Sequence, residues 1–134
     1  MKKQFSTKWK ASRQIRKQRK YRHNAPLHVK QKFMSSNLSK ELRKKVGKKN
    51  TQVRKGDKVK VMRGKFAGKE GKVSRADLSR LRISVEGLQR QKKDGTKIEV
   101  FFAPSKVQII ELGEGRTTKD VKEVKTKQEK KENA

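Results

Sequence analysis

The chain has no cysteine, two prolines, one tryptophan and one tyrosine in 134 residues. Without thiols there is no disulfide framework, no thiolate zinc site and no cysteine nucleophile. Two histidines, His23 and His28, are too few for most metal constellations, so no metal or cofactor is expected. No stretch approaches the roughly 18 apolar residues of a membrane helix, so membrane insertion is not expected either. The N-terminus is basic and lacks an apolar run, unlike a secretory signal, which makes cytoplasmic the default reading. Composition alone leaves an arginine-rich organelle transit peptide open. Acidic residues are also scarce: 13 Asp and Glu stand against 41 Lys and Arg, for a net charge of +28. A field of that strength seeks a polyanion. With only 29% hydrophobic residues, the chain cannot be one large, well-filled core.

What apolar content there is clusters. Residues 57–112 hold 17 of the Leu, Ile, Val and Phe in 56 positions, whereas the other 78 positions hold 11. Charge runs the other way, with twenty basic residues and the single acid Glu41 in 1–56. This predicts a basic, partly helical extension over residues 1–50, one folded module over 51–112 and a mixed-charge, solvated tail over 113–134.

Within the module the hydrophobic period is two. Val59 and Val61 alternate with lysines, Val73 follows a glycine-punctuated loop from Arg63 to Gly68, and Leu81, Ile83 and Val85 alternate again. Asp94-Gly95, between the Leu88–Gln91 segment and Ile98–Phe102, is a hairpin signal. Val107, Ile109 and Ile110 form a last strand entered through Pro104. Five short strands in so few residues predict a mainly β fold, a small closed barrel without exposed edges. Phe66 is expected to anchor the loop in the core, and Gly71 to allow a close strand approach.

In the extension, Ser6 or Thr7 is expected to cap a helix over Lys8–Tyr21, and Pro26 to open a second short helix running through Met34. Ser36-Asn37 are expected to precede a third over Leu38–Val46, with Glu41 early, basic residues late and Gly47 just past the end. These helices are short and polar, and should need a partner surface. Arg13, Arg16, Lys17, Arg19, Lys20 and Arg22 crowd into ten residues, followed by His28, Lys30, Lys32, Arg43, Lys44, Lys45, Arg54 and Lys55. A charge run is ordinarily a solvated face, but such a face carries interleaved acids, and this one has almost none. Nucleic-acid phosphates are the natural counter-charge. Phe5, Trp9, Tyr21 and Phe33 supply planes that can stack on bases or wedge between RNA helices. Arg63, Lys65 and Lys69 add cations on the glycine loop, with only Glu70 close by in sequence to neutralise them.

The spacing Gly56-Asp-x-Val59-x-Val61-x-x-Gly64-x-x-x-Gly68-x-x-Gly71-x-Val73 resembles a KOW motif, which marks a small SH3-like barrel. Asn24-Ala-Pro-Leu-His28, Met34-Ser-Ser36, Leu38-Ser-Lys-Glu-Leu-Arg43, Val53-Arg-Lys-Gly-Asp57, Val61-Met-Arg-Gly64, Val85-Glu-Gly87, Asp94-Gly-Thr96 and Pro104-Ser105 occur in the same order. Together, over about residues 10–112, they resemble the large-subunit ribosomal protein twenty-four family in its archaeal form (twenty-six in the older eukaryotic naming). The resemblance implies binding to the 5′ domain of large-subunit ribosomal RNA, early entry into subunit assembly and a place near the polypeptide exit tunnel. Implied partners are that RNA, neighbouring ribosomal proteins, and nascent-chain or targeting factors near the tunnel. Phe102-Ala103 stand where the family pattern has Ile-His, and the polar tail after Gly113 matches no part of it.

Two alternatives compete. A KOW-containing transcription elongation factor would carry an apolar polymerase-binding domain before the barrel, where this chain is basic and core-poor. A membrane-surface binder would need a Trp, Phe or Leu face opposite its lysines, and Trp9 and Ile15 are all the first helix offers. No catalytic reading has support, because the module's acids are scattered and no nucleophile–base pair can be identified.

Overall fold

The computed structural model describes residues 5–114 and 116. A single turn of 3-10 helix (Thr7–Ala11) leads into α1 (Ile15–Asn24) and α2 (Leu27–Phe33). Then come β1 (Ser35–Leu38), α3 (Lys40–Val46), β2 (Asn50–Gln52), β3 (Lys58–Val61), β4 (Glu70–Asp77), β5 (Arg82–Gln91), β6 (Lys97–Phe102) and β7 (Val107–Glu111). The strands form one sheet in the order β2-β1-β7-β3-β4-β5-β6. All neighbours are antiparallel except β1 and β7, which run parallel.

The expected mainly β, SH3-like architecture holds, and the five strands read from the module are β3 to β7. Closure does not. The sheet is open, with β2 and β6 as its edges. The position beside β7 that a closing strand would need is taken by β1, where Asn37 pairs with Gln108 and Leu38 with Ile109.

That strand lies where sequence analysis placed a helix start. Ser36 and Leu38 point into the core and Ser35 and Asn37 away from it, so the period is two, but a serine fills one inward position. Ser36 is tolerated there because its hydroxyl donates to the Pro104 carbonyl at 2.5 Å. The third helix accordingly begins later than expected. Ser39 is its N-cap, accepting from the Leu42 N–H at 3.3 Å, and Gly47 ends it in the left-handed region at φ 68°.

The expected helix over Lys8–Tyr21 is broken at Ser12–Gln14, where Ser12 and Gln14 are extended. An unbroken helix would have had no continuous apolar face to bury. The break instead lets Gln18 reach back, its amide donating to the carbonyls of Trp9 (3.2 Å), Lys10 (3.0 Å) and Ser12 (2.8 Å). The second helix forms as expected, between Pro26 and Met34.

The core runs from Met34 and Leu38 through Val46, Val53, Val59, Val61, Val73, Ile83, Val85, Leu88 and Phe102 to Val107 and Ile109. Burying each such side chain contributes ~2 kcal/mol before entropy is counted. Phe66 packs on this core as expected, meeting Phe102 edge-on with centroids 5.9 Å apart. Gly71 is a close approach: a Cβ there would stand 2.7 Å from Val85 Cγ1 and 2.8 Å from the Glu86 carbonyl oxygen.

One charged group lies inside. Asp57 is fully buried, and its carboxylate accepts from the Arg54 N–H (2.9 Å), the Gly113 N–H (2.8 Å) and the Arg116 guanidinium (2.5 Å). Arg116 also donates to the Gln52 carbonyl at 2.5 Å. The start of the segment expected to be solvated is therefore docked on β2 and the turn before β3. The rest of that expectation, from 117 onward, lies outside the described residues.

Candidate nucleic-acid interface

The cations fall into three groups. On α1 the inward face is Gln18, Tyr21 and, one turn on, Ala25, spaced as one side of a helix requires. Tyr21 is buried between Phe5, stacked at 5.1 Å and 26°, and Phe33, edge-on at 5.9 Å. Arg16, Lys17, Arg19, Lys20 and Arg22 of α1 are all exposed, as is Arg13 in the link before it. Among the described residues none of these six forms an ion pair. Sequence reasoning offered Phe5, Tyr21 and Phe33 as free stacking planes; the structure commits Tyr21 to packing. Trp9 is half-buried on the 3-10 turn.

The second group is dispersed. His28, Lys30 and Lys32 lie on α2, with His28 and Lys32 exposed and Lys30 half-buried. Lys44 and Lys45 are exposed on the last turn of α3, where positive charge also favours the helix C-terminus. Arg43 is turned inward, its Nε donating to the Leu38 carbonyl at 2.9 Å, which makes it a brace of β1. Arg54 and Lys55 are exposed on the turn before β3.

The third group is the loop between β3 and β4. Glu70, the acid nearest in sequence, is 3.7 Å from Lys60 and so engaged away from the loop. Arg63, Lys65 and Lys69 are exposed, and the Lys69 ammonium sits 5.4 Å from the Phe66 ring centroid.

The fold gathers cations that sequence reasoning kept apart or missed. Arg63 and Lys65 share the wall of a recess of about 740 Å³ with Arg82, Arg90 and Lys106. Arg19 and Arg22 face Arg80 of the β4–β5 turn across a second recess of about 660 Å³. The alternation of β5 put Arg82 outward, opposite Ile83, but nothing in it indicates that the glycine loop folds over the same side. Among the described residues there is no cluster of His, Asp and Glu able to hold a metal ion. In the β5–β6 turn the Thr96 hydroxyl and N–H, donating to Asp94, hold its carboxyl below the usual 3.8.

A family model described as ribosomal proteins twenty-six of eukaryotes and twenty-four of archaea matches residues 12–125. The chain belongs to that family. The large ribosomal subunit protein uL24 of Korarchaeum cryptofilum (strain OPF8) is 52% identical over 96 residues, covering 72% of this chain and 73% of its own length. The protein of the same name from Methanothrix thermoacetophila is 52% identical over 101 residues, 75% of this chain and 87% of its own. As a member of this family, the chain is a structural constituent of the large ribosomal subunit, in the cytoplasm, and not an enzyme. The match spans most of the basic extension as well as the sheet, which removes the elongation-factor alternative. It also runs past Gly113, so part of the segment that matched no quoted pattern belongs to the family after all.

Proposed function

We propose that this ribosomal protein binds the 5′ domain of large-subunit ribosomal RNA, enters the subunit early in assembly and lies near the polypeptide exit tunnel. There it would meet neighbouring ribosomal proteins and factors that act on the nascent chain. The observation that carries RNA binding is the outer face of α1, five exposed cations that no acid pairs among the described residues. Phosphates supply the missing counter-charge, and contacts of this kind position a protein on folded RNA without reading sequence. The glycine loop between β3 and β4 presents the second cationic face, on the sheet itself.

The test is filter retention of 5′-domain and 3′-domain RNA fragments across a salt series. The full chain is compared with a variant in which Arg16, Arg19, Lys20 and Arg22 are all changed to Gln. Stronger retention of the 5′ fragment is expected. Each lost phosphate contact removes close to one counterion, so the variant's log–log salt slope should be shallower by roughly 3. An unchanged slope would remove α1 from the interface, and equal retention of both fragments would remove the domain assignment. Finding the chain in the earliest isolated precursor particles, and its crosslinking to nascent chains, would test timing and place.

A further inference from the structure

The recess behind the glycine loop has a floor as well as a basic wall. Between Ser84 and Gln89, four residues of β5 stand against the single residue Val100 of β6 between Phe101 and Glu99. The surplus bulges out at Gly87, whose φ is 78°, and bends β5 away from β6. Phe101 lies on the surface of the recess, 38% exposed beside the buried Phe102. Gln89 and Gln91 also line the recess, and among the described residues no acidic side chain does.

We propose that this recess receives an unpaired nucleotide of RNA, with its base stacked on Phe101 and its phosphates among Arg63, Lys65 and Lys106. The proposal rests on the RNA-binding reading above and adds to it a site for a splayed base, whereas α1 touches only backbone. Charge selects a polyanion, the aromatic face selects a planar group, and the two glutamine amides can donate to and accept from a base edge. The volume, about 740 Å³, lies in the range of roughly 300–1,000 Å³ usual for small-ligand sites. An acidic peptide would satisfy the cations but leave Phe101 and the amides without a partner.

The experiment measures binding of the full chain to a single-stranded hexa-adenylate and to an RNA duplex of the same length, at one salt concentration. Phe101→Ala should weaken hexa-adenylate binding about 5- to 100-fold, as loss of one base–aromatic stack does, and leave duplex binding unchanged. Phe101→Trp should restore it, which a folding defect in the alanine variant would not predict. Equal affinities of wild type and Phe101→Ala for hexa-adenylate would overturn the proposal. So would displacement of hexa-adenylate by poly-glutamate at equal charge concentration. Duplex binding without single-strand binding by the wild type would overturn the recess alone; binding of neither would overturn the RNA reading with it.

Discussion

The sheet and the extension before it solve the same problem, a shortage of apolar residues, in opposite ways. The sheet draws nearly all of the core into one dry cluster and closes its margin with a buried carboxylate and guanidinium. Up to Phe33 the described residues of the extension have only Tyr21 and Ala25 buried, and this part is held by three rings and a glutamine that ties down three carbonyls. An extension built this way shows almost its whole charge to solvent while keeping α1 in a defined place. A core-stabilised helix would have had to turn one face of that charge inward, at a desolvation cost.

The contrast is most severely tested at Asp57. Asp57→Ala takes the carboxylate from the Arg116 guanidinium, which keeps only the Gln52 carbonyl and the Thr51 hydroxyl, and leaves two backbone donors without their acceptor. Loss of one partner of a buried pair should cost ~4 kcal/mol, read as the fall in unfolding free energy in urea. A loss below about 1 kcal/mol would mean that the pair is solvated and that the sheet's margin is as open as the extension. Leu38→Ala comes next. Leu38 lies among residues whose charge places them with the extension, yet it is wholly buried, and its truncation should destabilise the sheet by ~3 kcal/mol. A silent substitution would move β1 back to the extension.

Tyr21→Ala should act on one side only. Loss of its two ring contacts should raise amide exchange in α1 about tenfold, while β3 and β7 exchange as before. Equal acceleration in both would show that the two regions open together. The smallest effect is at the β5–β6 turn. The Asp94 carboxyl is depressed in the folded chain, so its bonds to Thr96 are in place at neutral pH and above the unfolded value near 3.8. That contribution is lost as pH falls through the lower folded value, and the Thr96 amide resonance should shift only there. A titration midpoint above the unfolded value would contradict the bond. The unfolding midpoint should hardly respond to Asp94→Asn, since the group is fully exposed.

The strands β3 and β7 were legible because their inward positions are filled with Val and Ile at period two, and β4 to β6 because glycine and Asp-Gly turn signals separate their apolar stretches. β1 was not, because Ser-Ser-Asn-Leu alternates in burial without alternating in hydrophobicity, and the Pro104 carbonyl that excuses Ser36 is 68 residues away. The Asp57–Arg116 pair was hidden for the same reason, with 59 residues between its members. Within the interface, the outward cations of α1 followed from composition, since the run is so dense that any helix there must expose most of it. Arg82, Arg90 and Lys106 did not, because what gathers them is the β5 bulge and the fold of the glycine loop. Arg43 shows the converse: a cation in a basic run that turned out to brace a strand.

The parallel pairing of β1 with β7 has a consequence for how the chain acquires its form. The Gln108 side chain and the Leu38 carbonyl it bonds are 70 residues apart, so β1 can pair with β2 early but nearly the whole module must be synthesised before it finds β7. Closing a loop of that length is slow and entropically costly. The first two helices and the glutamine clamp, by contrast, need only contacts among residues up to Phe33. The order of manufacture therefore favours a basic α1 displayed early, while the strand that ties it to the sheet waits for the last strand to arrive.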